Sequence, residues 1–153
     1  MSFCLLLSAD VPLPEVHPSQ EYPLHIDLDR GTVEDGGADD NFSLWPFPEA
    51  ELYTGQSHAM ELECHLWTPG RARLLQEYIR QRLQETSQVC LWAVWLSGCP
   101  EEERPILKTA TVDVDALTVE DFRQLAEVSP FPDRNHDRPT HYCLRVVRSG
   151  GGT

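Results

Sequence analysis

Glu61, Glu63, His65 and Trp67 stand two residues apart, so on an extended chain two carboxylates, an imidazole and an indole share one face. Carboxylates and an imidazole meeting in one patch are the beginnings of an oxygen-and-nitrogen metal site, and Asp113, His141 or Arg145 would join them if neighbouring strands paired in a suitable register. The spacing works against this. Residues two apart on one strand lie about 7 Å from each other, so no two neighbours grip one ion without a ligand from a loop. The carboxylates therefore read as a solvated face, and the patch as a binding surface anchored by Trp67 and, from another segment, Trp45.

Cys64 beside His65 has the composition of a thiol–imidazole pair, but adjacent strand residues point to opposite faces and cannot bond each other. Cys64 reads as core. Asp27 and Asp29 occupy the first and third positions of a possible calcium loop, yet Thr32 stands where its glycine is needed and Ala38 where the bidentate glutamate belongs. The acidic stretch from Arg30 to Asn41 is expected to be a mobile, solvated loop. Asp133, His136, Asp137 and His141 fall within nine residues, and Asp133, His136 and His141 are the side chains a metal would use there. No Cys or His pair elsewhere completes a structural zinc site, so no cofactor is expected and no catalytic residue is assigned. The phosphate-binding patterns G-x-x-x-x-G-K and G-x-G-x-x-G are absent, as are G-x-S-x-G and H-E-x-x-H.

These side chains need elements to position them, and the central one runs from Ala59 to Ser97. Met60, Leu62, Cys64 and Leu66 alternate with the polar set above, which is the pattern of a strand with one dry face. Thr68-Pro69 then reads as a helix start, because Thr caps free N–H groups and Pro fits the first helical position. Ala72, Leu75, Ile79 and Leu83, flanked by Leu74 and Tyr78, form its apolar stripe, and Arg71, Arg73, Arg80 and Arg82 balance the acidic loops from its surface. Val89 to Leu96 is apolar at both parities, as a strand covered on both faces would be.

Further strands are expected at Ser2 to Ser8, Pro23 to Asp29, Ile106 to Val114 and Tyr142 to Val147. Thr118 with Asp121 marks a second helix start, and the aromatic, proline-rich segment Phe42 to Tyr53 is expected to lie over a core edge. From residue 59 to 147 the order is strand, helix, strand, strand, helix, strand, which implies an α+β fold with a ferredoxin-like βαββαβ core. Residues 1–58 then form an N-terminal extension adding one or two strands, in a single domain over 1–148 with a flexible tail at 149–153.

The chain has 153 residues, 25 acidic against 12 basic side chains, and a net charge of −13. That charge disfavours nucleic acid and anionic membranes and favours a basic protein partner. Five cysteines without a C-x-x-C pair indicate reduced thiols, and Met1 to Ala9 is too short an apolar run for a signal segment, so a cytoplasmic location is expected. Three functions fit. The preferred one is a noncatalytic protein-binding module of inhibitor, immunity or adaptor type. The alternatives are a regulatory domain holding a small molecule between the open sheet face and the N-terminal segment, lined by Trp45 and Trp67, and a small enzyme with a histidine base at His65, His136 or His141.

Overall fold

A computed structural model describes residues 2–17, 24–35, 42–47, 54–63, 67–96, 107–125, 128 and 141–148. At its centre lies β1 (Ser2–Ala9), whose Cys4, Leu5, Leu6, Leu7 and Ala9 are all buried. A run that is apolar at both parities needs cover on both faces, and the interior of a sheet supplies it. Antiparallel neighbours flank it: β5 (His58–Glu63) in the register Leu6↔Glu61 and β6 (Gln88–Leu96) in the register Leu6↔Trp92. β4 (Ser43–Pro46) adds outside β5, while β8 (His141–Val147) and then β7 (Leu107–Asp113) add outside β6. The sheet order is β4-β5-β1-β6-β8-β7, antiparallel except for the parallel β7–β8 pair.

The fold is α+β, but the ferredoxin-like order is not the one observed. That arrangement sets β5 and β7 side by side at the centre. Here β1 lies between β5 and β6, and β8 lies between β6 and β7. The reason is in the side chains: β1 is dry on both faces, whereas β5 carries Glu61 and Glu63 on one face and suits a place near the margin. The N-terminal segment is thus the middle of the sheet as well as one of its edges.

The two helices that lie wholly among the described residues serve one face. α1 (Pro69–Arg82) is capped by Thr68, whose Oγ1 accepts from the Arg71 N–H at 3.1 Å, and Pro69 occupies its first turn. Ala72, Leu75, Ile79 and Leu83 are buried as the stripe requires, and Leu74 points outward at 45% exposure. Arg71 is fully buried in its first turn. A 3₁₀ turn (Val114–Ala116) follows β7, and α2 (Val119–Gln124) opens with Asp121 Oδ2 accepting from the Thr118 backbone N–H at 2.8 Å. Under the helices lie Leu5, Leu7, Met60, Leu62, Leu91, Leu144 and Val146, with Phe122 of α2 packed into the same core.

Two loop expectations change. β2 (Leu24–Asp27) pairs with β3 (Thr32–Asp35) as a hairpin, so the acidic stretch is strand as far as Asp35. Thr32 and Val33 are β-branched, and Gly31 at φ +63° permits the reversal between the strands. Residues 36–41 lie outside the described set, as does the tail at 149–153. The aromatic segment supplies β4, whose outer edge is closed at one point: Val16 and Leu44 exchange backbone hydrogen bonds of 2.9 and 3.0 Å. Pro46 shares the outward parity of Leu44, so its missing N–H falls on the edge, where no ladder bond is lost.

Candidate functional site

The face opposite α1 and α2 is ordered by register. One row crosses the sheet as Trp45, Glu61, Leu6, Trp92, Cys143 and Thr109. At its β4 end, Glu61 Oε2 accepts from Trp45 Nε1 at 3.0 Å, and Oε1 accepts from the Cys4 thiol at 3.8 Å. Burial, and then the charge and hydrogen bond of Glu61, push that thiol up to about 12. Cys4 is therefore a donor that stays protonated, and it is no nucleophile.

The middle of the face holds a second network. Trp92 Nε1 donates to Ser8 Oγ at 3.0 Å, and the Ser8 hydroxyl donates to Gln56 Oε1, joining β6, β1 and the approach to β5. Cys90 and Cys143 meet on the same face as a hydrogen-bonded thiol pair, both buried. The bond from Cys90, helped by Arg145, draws the Cys143 ionisation down, while its counterpart raises that of Cys90. Leu6 and Val94 beneath these groups are sealed by Phe47, Ala59 and Trp92, so the centre of the face is filled.

Of the residues singled out by spacing, Trp45 and Glu61 meet, and Glu63 stands exposed on the same face opposite Ser43. Trp67 lies elsewhere. It stacks on Phe122 at 4.6 Å and 14° on the helix side, and its carbonyl accepts from Arg123 Nη2 at 3.3 Å. Trp45 and Trp67 thus sit on opposite faces of the sheet and cannot line one pocket. His141 is buried at the start of β8, opposite Val94. Asp113 caps the 3₁₀ turn, its Oδ1 accepting from the Asp115 N–H at 2.8 Å. Cys64, His65, Asp133 and His136 lie outside the described residues. Among those described, no three His, Cys, Asp or Glu side chains gather as a metal would require.

One concavity went unread in the sequence. Pro12 and Leu13, Pro46 and Phe47, and His58 and Met60 line an open groove of about 310 Å³ beside the β4–β5 edge. Its signal was two apolar residues each held by a proline, Pro12-Leu13 and Pro46-Phe47. What separates them from ordinary connectors is their meeting, which sequence spacing does not encode. Compared with models of protein families, with curated proteins and with solved structures, the chain matches none.

Proposed function

We propose that the protein is a noncatalytic binding module for a cationic protein segment, which seats an apolar side chain in the Pro12–Phe47–Met60 groove. The observation that carries this reading is which part of the chain holds the charge and which part builds the groove. Residues 1–63 hold 13 acidic side chains against Arg30 alone, a net −12, while residues 64–153 hold 12 against 11, a net −1. The part that supplies every lining residue of the groove is the part that holds nearly all the net negative charge, −12 of −13. Negative charge concentrated in this part of the chain speeds encounter with Lys- and Arg-rich segments and discriminates against acidic ones, while an apolar anchor sets the residence time.

The groove favours side-chain docking over strand addition, because Val16 and Pro46 already occupy or blunt the edge of β4. The face opposite α1 and α2 supports the same reading, since its described indoles, thiols, serine and glutamate are engaged with one another. Surface plasmon resonance on the full chain tests it, with twelve-residue peptides carrying one Leu or Phe flanked by Lys and Arg, and matched peptides flanked by Glu. The cationic set should bind, its association slowing as NaCl rises. Glu15→Lys with Glu63→Lys, both exposed positions, should slow association about tenfold with little change in dissociation. Equal binding of the two sets, or association that ignores the reversal, would remove the proposal.

A further inference from the structure

The two margins of the sheet are built for different ends. β4 has four residues, with Leu44 bonded outward to Val16 and Pro46 lacking an N–H. β7 has seven residues, no proline, and the β-branched Thr109, Thr111 and Val112. It pairs with β8 along its whole length, from Leu107↔His141 to Asp113↔Val147, which leaves the N–H and C=O of alternate residues pointing away from the sheet. Among the described residues no strand pairs with that outer side. Leu107 is 54% exposed, and Lys108 and Thr109 are exposed too, so the first three residues of the strand are open to solvent on both faces of the sheet, and Thr111 is exposed further along. Its far end is fixed: Gln76 Nε2 donates to the Val114 carbonyl at 2.7 Å, and Arg80 Nη2 meets Asp115 Oδ1 at 3.0 Å. An anchored edge of seven residues without proline, whose Lys108 ammonium lies over the Tyr142 ring of β8 at 5.1 Å, is a template for another strand.

Charge decides which strand. A second copy that approached along β4 would bring one net −12 half against another. Along β7 it meets a half with net −1, where Lys108, Arg145 and Arg148 offset Asp113. We propose that β7 is a self-association edge, on which two copies pair β7 antiparallel about a two-fold axis and fuse two six-stranded sheets into one of twelve. With the axis at Ala110, Thr109 of each copy faces Thr111 of the other, a favourable cross-strand pair repeated twice. The acidic edges then lie at the two ends of the joined sheet, roughly 50 Å apart at the usual strand spacing, which minimises their repulsion.

Sedimentation equilibrium of the full chain from 2 to 500 µM in 0.15 M NaCl tests this. The expected result is a monomer–dimer equilibrium. Thr109→Lys with Thr111→Lys should weaken it at least tenfold, because each copy brings two ammonium groups to the same seam. Glu63→Lys, at the opposite side of the sheet, should leave it unchanged. A chain that remains monomeric at 500 µM overturns the proposal and leaves the edge to a different protein's strand. A dimer indifferent to the double lysine substitution overturns it equally. Should that variant fail to fold, hydrogen exchange of the wild-type chain decides: β7 amides must gain protection as concentration rises, and protection gained only in other strands rejects the edge.

Discussion

Glu61 sits between an indole and a thiol, and both donate to it. That makes its carboxylate a tie between β4, β5 and β1. Trp45→Phe removes one donor to a half-buried charge while keeping most of the aromatic area, so a loss of about 1–2 kcal/mol is expected in urea unfolding. Cys4 gives a pH signature. Unfolded, its thiol ionises near 9.0; folded, it holds its proton to about 12. The unfolded state therefore loses its proton first, so this contribution is complete below pH 9 and declines as pH rises from 9 to 12. Stability measured at pH 7, 9 and 11 should fall more steeply for wild type than for Cys4→Ala, and identical slopes would refute the assignment. Trp45 and Glu61 were both picked out by their types, yet their bond rests on the Trp45↔Glu61 register, which no spacing within either segment contains. Parity misplaces Trp67: alternation from Glu61 and Glu63 assigns it to their face, whereas it stacks on Phe122 of α2 on the helix side.

The elements with local signals are those the sequence made legible. Thr68-Pro69 starts α1, Thr118 with Asp121 starts α2, and the buried stripe of α1 is the one its spacing requires, because caps and helical periodicity are decided within a few residues. Thr68→Ala should accordingly cost about 1 kcal/mol, read from thermal or urea unfolding, and a neutral result would mean that the Arg71 N–H finds another acceptor. Strand order needs more than local pattern. The strand sequence from β5 onward resembles a ferredoxin-like core only if β1 is left outside it, yet β1 and β6 are the two runs apolar at both parities, and those two became central neighbours. Dryness on both faces is a statement about position in a sheet, and it outranks chain order. The hairpin of β2 and β3 was missed for a related reason: the acidic side chains masked a short β-branched run that the Gly31 turn folds back on its predecessor.

The whole molecule is electrically lopsided, and that has a consequence for stability as well as for binding. The described ion pairs of the second half, Arg80 with Glu77 and Asp115 and Arg123 with Glu120, are drawn from a nearly balanced set of charges. The first half has one basic residue for 13 acids, so self-repulsion within residues 1–63 is unavoidable in the compact state. Salt screens it, the Debye length falling from about 30 Å at 0.01 M to about 3 Å at 1 M. Raising NaCl across that range should therefore raise the melting temperature by several degrees, opposite to the behaviour of a fold held by surface ion pairs. Glu63→Lys should capture part of that gain at low salt and reduce the remaining salt dependence, because it removes one exposed acid and adds a counter-charge in the same half. Differential scanning calorimetry of both chains at the two salt concentrations gives the comparison. A melting temperature that falls with salt would show the acids of residues 1–63 to be paired with basic side chains from the rest of the chain, and an acidic surface already neutralised in that way would have little left with which to attract a cationic segment.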